Sequence, residues 1–304
     1  KELYPVKTYS EVDYDYKVEK DINYTSFNNK FLVTGTLTEY NTSNYLPNKV
    51  SQVKDSEREL SFIDGEPLLV IEPEIYYIDI EKSITYPLDL EYPSSAESKL
   101  ISQNRLSTPI KVKTVKINED GNDILISTNS VEYFEWFSNI IEPKKVKSSK
   151  GTTDLKDKIV YHSYGTKGNP KEVSKKDGSK IYYVWGYSQS QPIAKIEGYT
   201  DAELLSVNSY INTAINKSNL DTDTCLGFEN CKEQELRQAF INLRNALPKA
   251  QITSYTYDPL IGVTSITNPR GKTVYYQYDE FNRLEFVKDH EGKIVNENQY
   301  NYKN

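Results

Sequence analysis

Along most of the chain, apolar and β-branched side chains fall at alternate positions, the period of a strand that buries one face. Lys30 to Glu39 (KFLVTGTLTE), Leu68 to Ile71, Glu74 to Ile80, Ile110 to Ile117 and Ile124 to Ser130 all carry this alternation. The last two runs flank Asn118-Glu119-Asp120-Gly121-Asn122. Its Asp-Gly pair tolerates positive φ, so Ile110 to Ser130 is predicted to be a hairpin. Asp64-Gly65 and Asp177-Gly178 punctuate the chain in the same way. Val160 to Tyr187 adds an aromatic strand, a Gly-Asn-Pro bend, a second strand, a Lys-Asp-Gly turn and a third strand. The pattern predicts a mainly β fold, a long antiparallel meander of successive hairpins.

One segment follows another period. Thr200-Asp201-Ala202-Glu203 has the form of a capping box, in which a hydroxyl and a carboxylate satisfy the orphan amides of a helix start. Leu204, Leu205, Val207, Ile211 and Ile215 then fall near helical spacing, as do Leu236, Phe240, Leu243 and Leu247 further on. Pro248 ends the second run. A two-helix insertion at 200–249 therefore divides the strand grammar into degenerate hairpins at 1–159, one unit at 160–199 and C-terminal repeats at 250–304.

Within those repeats a tyrosine-aspartate phrase recurs. Tyr255-Thr256-Tyr257-Asp258 is followed, after Asn268-Pro269-Arg270-Gly271, by Tyr276-Gln277-Tyr278-Asp279. A third copy, Tyr300-Asn301-Tyr302-Lys303, follows Asp289-His290-Glu291-Gly292 and has lost its aspartate. Each unit of such a repeat buries its apolar face only against its neighbours, so the repeat signals architecture before chemistry. The aspartates stand at the start of bends, where they are expected to shape turns rather than to move protons.

These residues resemble the RHS/YD-repeat family, in particular the long YD-repeat proteins of Gram-negative bacteria. The resemblance is carried by Tyr255 to Ile294 (YTYDPLIGVTSITNPRGKTVYYQYDEFNRLEFVKDHEGKI) and by Lys167 to Thr200. The family unit is similar to Tyr-x-Tyr-Asp, Gly-Arg-Leu and a charged turn with glycine. Here Asn282 stands for the usual glycine before Arg283 and Leu284, and asparagine is the substitute best able to adopt a left-handed backbone. The resemblance implies a curled sheet forming a spiral or shell, with Asp258, Gly262, Gly271, Asp279, Asn282, Arg283 and Gly292 as repeat-turn positions. In family members with toxic C-termini the shell encloses a cargo domain released by aspartyl self-cleavage. Asp258-Pro259-Leu260-Ile261-Gly262 only approximates the cleavage phrase, and only repeat-like residues follow it. The chain thus resembles the C-terminal part of such a protein without a toxin domain. Upstream repeats or another subunit are expected at its N-terminal sheet edge.

Composition sharpens this picture. The 304 residues include 26 tyrosines against nine phenylalanines, two tryptophans and no methionine, the profile of sheets built from side chains with an apolar body and a polar tip. The formal charge of −7 arises from 44 acidic and 37 basic residues whose signs are interspersed. No basic stripe is present for nucleic acid or for an anionic membrane surface. The longest apolar run, Pro67 to Ile71, is far too short to span a bilayer as a helix. The chain opens at Lys1, which suggests a mature or trimmed piece of a longer protein. The two cysteines, Cys225 and Cys231, are spaced too widely for a CxxC pair. A local disulfide with oxidising export is the expectation, and a pair of inert thiols is the alternative.

Candidate chemistry is sparse. His162 lies on a tyrosine strand and His290 in a turn, and no Gly-x-Ser-x-Gly elbow, P-loop or HExxH occurs. Asp221, Asp223 and Glu229 offer oxygen ligands that suit calcium, although helix-connecting carboxylates also serve as caps or solvated groups. Tyr182, Tyr183, Trp185 and Tyr187 are the candidates for stacking on a sugar, against a competing role in packing. No cofactor is expected. The resulting expectation is a non-enzymatic, exported scaffold giving a docking or enclosing surface at the surface of a Gram-negative bacterium. A carbohydrate-binding surface protein and the core of an RHS toxin lacking its cargo are the alternatives.

Overall fold

The computed structural model describes residues 5–13, 18–27, 30–41, 44–54, 58–59, 61–63, 66–68, 78–118, 123–222 and 231–301. The chain forms two compact units, residues 1–158 and 159–304. In the first, β1 (Pro5–Asp13), β2 (Val18–Phe27), β3 (Lys30–Tyr40) and β4 (Pro47–Lys54) pair in succession, all antiparallel. Three short strands follow, β5 (Arg58–Glu59) on β3 and the hairpin β6 (Ser61–Ile63) with β7 (Glu66–Leu68). The ladder then continues from β4 to β8 (Ile78–Thr85), β9 (Lys111–Ile117), β10 (Asp123–Phe137) and β11 (Ile140–Lys150). The predicted hairpin at Ile110 to Ser130 is β9–β10, with Asp123 opposite Ile117; its turn, like much of Leu68 to Ile80, lies outside the described residues.

Between β8 and β9 lies α1 (Ser95–Ser102), opened by a capping box in which Ser94 accepts from the Glu97 amide and Glu97 accepts from the Ser94 amide. Ala96 and Leu100 on its inner side pack with Ile141 and Tyr133 of the sheet, a small apolar core. Such a core suffices to seat one two-turn helix, whose isolated stability would be marginal.

In the second unit the strands pair in succession, each with the next: β12 (Lys156–Tyr164), β13 (Pro170–Lys175), β14 (Lys180–Gly186), β15 (Gln191–Glu197), β16 (Gln251–Asp258), β17 (Gly262–Thr267), β18 (Thr273–Tyr278), β19 (Leu284–Lys288) and β20 (Ile294–Glu297). The sequence alternation therefore becomes a meander of antiparallel hairpins. Between β15 and β16 the chain leaves the ladder for the helical insertion and returns in register, Glu197 opposite Gln251.

The insertion holds α2 (Asp201–Ser206), α3 (Asn208–Asn219) and α4 (Lys232–Ala246). The Thr200–Glu203 capping box forms as the spacing predicts. The first of the two expected helices is broken, because Val207, with ψ near 11°, separates α2 from α3 and turns inward. Leu205 of the predicted apolar stripe is consequently 77% exposed. Val207, Ile211, Leu236, Phe240, Leu243 and Leu247 are buried against Val184, Ala194, Ile196 and Ile252. This is the main apolar core of the unit, and its contacts hold α3 and α4 on one face of the sheet. Among the described residues no helix is long and apolar enough to cross a membrane.

Candidate functional site

A tyrosine of the tyrosine-aspartate phrase makes one contact repeatedly, the second of the pair in the first two copies and the first of the pair in the third. Tyr257 donates its phenolic hydroxyl to the carbonyl of Pro192 at 2.9 Å, Tyr278 to Val263 at 3.0 Å and Tyr300 to Leu284 at 3.0 Å. Trp185 does the same with its indole N–H, to Pro170 at 2.8 Å. Continuing each ladder's register, the acceptor always faces the residue just before the aromatic. The aromatic at or shortly past the end of one strand thus clasps the first or second residue of the strand beside it. The first unit contains the same clasp, since Tyr86, one past β8, donates to Pro47 at the start of β4 at 3.0 Å. Three of the five acceptors are prolines, residues that suit the first position of a strand because they cannot donate to the ladder. Burial raises the phenols of Tyr86 and Tyr278, and burial with Tyr255 nearby pushes Tyr257 up to about 12.

The turns repeat as closely. In the five-residue loops 165–169, 175–179, 268–272, 279–283 and 289–293, the first amide donates to the last carbonyl and the fourth amide donates back to the first carbonyl. The fourth residue has positive φ in every case: Gly168, Gly178, Gly271, Asn282 (61°) and Gly292. Asn268, Asp279 and Asp289 each use Oδ1 to accept from the amides two and four residues on. Asp279 also holds Arg283 through Oδ2, at 2.8 Å from Nε and 2.7 Å from the terminal nitrogen, while Phe281 and Tyr300 flank the guanidinium. These bonds keep the Asp279 and Asp289 carboxyls below their ordinary range, Arg283 being the chief cause at the first and the Lys293 amide at the second. Asp258 accepts from the Leu260 amide in a related loop. Gly262 is required there by close approach, since a Cβ would lie 2.6 Å from the Tyr278 hydroxyl.

A buried polar seam lies where α4 meets β16 and β17. Glu233 receives Arg237 at 2.6 Å and the hydroxyls of Thr256 and Thr264, both at 2.6 Å. Each hydroxyl has one proton, so Ser265, 2.6 Å from Thr256, must donate to it, and Arg237 Nε donates in turn to Ser265. The result is a closed circuit of charge-assisted bonds. A second anchor joins the end of β14 to α3: Tyr187 donates to Asp221 at 2.6 Å and accepts from the Tyr257 amide, while Ser218 and Asn219 accept from the amides of Tyr187 and Ser188. Burial and the Asp221 carboxylate raise the Tyr187 phenol far above its ordinary range. Tyr187, Ser188 and Gln189 all have positive φ, a left-handed turn held by these contacts. A third anchor is Arg244, which donates to Ser254 at 2.7 Å and to the carbonyls of Ile252 and Thr267. Burial lowers it to about 10.

The predicted site residues separate accordingly. Tyr182 packs with the helical core and lies edge-on to Tyr199, and Tyr187 is buried beneath α3. Strand alternation turns Tyr183 and Trp185 to the opposite face. The four aromatics therefore do not form one stacking platform. Asp221 is engaged by Tyr187, whereas Asp223, Glu229 and Cys225 lie outside the described residues. Cys231 is the N-cap of α4, its sulfur accepting from the Gln234 amide. His162 Nε2 lies 2.9 Å from the Ser174 hydroxyl. Sequence reasoning missed the Glu233–Arg237 seam, for which the only signal was two charges four apart within a helical stripe.

No family profile and no curated protein matches the chain. Among solved structures, the Tc holotoxin pore of Photorhabdus luminescens with mutated TccC3 is similar over 91% of this chain and 14% of its own, at 8% identity and a TM-score of 0.30. A complex of TcdB2, TccC3 and Cdc42 is similar over 92% of this chain and 14% of its own, at 7% identity and a TM-score of 0.31. The chain thus spans about one seventh of the chains it resembles.

Proposed function

We propose that this chain is a non-enzymatic, exported scaffold of RHS/YD type, whose repeated hairpins give a docking or enclosing surface at the bacterial cell surface. The observation that carries the reading is the aromatic clasp, made five times among the described residues with one register rule by tyrosine or tryptophan. Aromatic groups reused at equivalent strand ends serve regular stacking of units. The polar groups gathered beneath α4 bond to one another, which suits an anchor better than a reaction centre. The test is turnover of ester, phosphate and glycoside reporters by the purified chain and by Glu233→Gln. Both should match the blank; turnover that Glu233→Gln abolishes would overturn the proposal. Export to the surface is tested by protease treatment of intact cells, which should cleave the chain without lysis.

A carbohydrate-binding reading keeps one supporting observation. Tyr161, Tyr183 and Tyr255 are half-buried, burial and then the nearby Tyr183 raise the Tyr161 phenol, and Tyr183 faces away from the helices. Quenching of intrinsic fluorescence by cell-wall glycans, lost in Tyr183→Ala, would favour it over a purely structural role.

A further inference from the structure

Strand order places the loops of the second unit on two rims. The loops 258–262 and 279–283 share one rim, whereas 268–272 and 289–293 share the other. On the first rim the third loop residue is apolar and stands in solvent: Leu260 is 95% exposed and Phe281 70%. On the second rim the same position holds Arg270 or Glu291. The Asp258 side chain, by accepting from the Leu260 amide, holds that leucine at the tip, and Pro259 stiffens its approach. Two loops in consecutive hairpins thus present their apolar side chains at matching heights, about 10 Å apart across two strand spacings.

The second rim carries a counterpart. Gln251, Asn268, Pro269 and Arg270, all exposed, line a shallow hollow of about 530 Å³ that is open to solvent. Arg244 lies behind it, bonded to the Ile252 and Thr267 carbonyls beside the lining residues. The charges match: Asp258 at the tip and Arg270 at the hollow each lack an ion-pair partner among the described residues. The hollow and the tip are at opposite ends of β16, about 25 Å apart at the rise of an antiparallel strand. A chain cannot fill its own hollow with its own tip.

We propose that this unit associates head to tail with a second copy of the chain, Leu260 of one copy entering the hollow of the next with Asp258 facing Arg270. The contact is heterologous, so a pair still has one tip and one hollow free and the association extends beyond a dimer. One tip in one hollow buries far less than the roughly 1,200 Å² of a stable interface, so the association is weak and salt-sensitive. It does not depend on the absence of enzymatic activity.

Sedimentation velocity of the purified chain over a concentration series tests it. The weight-average coefficient should rise with concentration without levelling at a dimer, and should fall back when salt is added. Leu260→Asp removes the tip and Arg270→Asp spoils the hollow, both on exposed loops, with circular dichroism checking the fold and Leu260→Ser as a milder substitute. Each variant alone should stay monomeric, and an equimolar mixture should form a one-to-one pair and stop there. A wild-type chain that remains monomeric at its highest soluble concentration overturns the proposal, as do variants that associate like wild type or a mixture that fails to pair. Flotation of the wild-type chain with phosphatidylcholine vesicles, without self-association, would overturn it in favour of a lipid surface.

Discussion

The phenolic oxygen of Tyr278 shows what the second tyrosine of the repeat contributes. It gives a donor to a strand-starting carbonyl and lies over a glycine that leaves it room. Tyr278→Phe should therefore cost about 1 kcal/mol, the net worth of one hydrogen bond. In a unit of this size that is a fall of roughly 2–4 °C in thermal midpoint. Tyr276→Phe is the control and should leave the midpoint unchanged, because that hydroxyl makes no hydrogen bond among the described residues. The sequence displayed both tyrosines of the phrase but could not rank them, since the difference lies in register with a neighbouring strand. It also concealed two copies of the clasp: Trp185 has a different donor, and Tyr86 has no aspartate after it and an acceptor 39 positions away. The turn aspartates were legible because their bonds run to amides only two and four residues on.

At the scale of elements, α4 is fixed by an apolar stripe and a charged one on the same side. Leu236, Phe240 and Leu243 follow helical spacing and were visible as such. Glu233 and Arg237 sit at a spacing that in most helices marks a solvated pair. Their burial follows from the hydroxyls of Thr256, Thr264 and Ser265, which β16 and β17 present opposite them. Pairings of that kind depend on which strands the insertion covers, and no local pattern reports it. Glu233→Gln leaves Arg237 buried without its counter-charge and should cost about 3–5 kcal/mol. Urea denaturation should show the loss as a lower midpoint, and replacing Glu233 and Arg237 together with methionine should cost less than the single change. The break at Val207 escaped prediction for the reverse reason: the stripe continues through it, and only the packing of α3 shows that the axis changes.

For the whole molecule the ionisable groups predict a stability plateau with two arms. Lys217 and then Lys232 hold the Glu235 carboxyl at about 2, below its unfolded value near 4.5. A folded value below the unfolded one gives stability that is complete above pH 4.5 and is lost as pH falls toward 2. Asp279 and Asp289 shift in the same direction. Tyr257 moves the other way, from 10 up to about 12, so its contribution is complete below pH 10 and is lost as pH rises toward 12. Urea midpoints across pH should fall in both windows, the alkaline fall accompanied by tyrosinate absorbance. The return of the chain at Gln251, opposite the Glu197 it left, bears on how the ladder assembles. All other strand pairs of the second unit close through short loops and can zip locally, whereas β15 and β16 must meet across residues 198–250. More than three doublings of loop length add about 2 kcal/mol of closure entropy, which the packing of α3 and α4 beneath both strands offsets. The junction is therefore expected to be the kinetic seam of the unit, with β12–β15 and β16–β20 forming before they join, and stopped-flow refolding should show two phases of which deletion of 200–249 alters only the slower. It is also the place to divide the chain for co-expression as two complementing fragments.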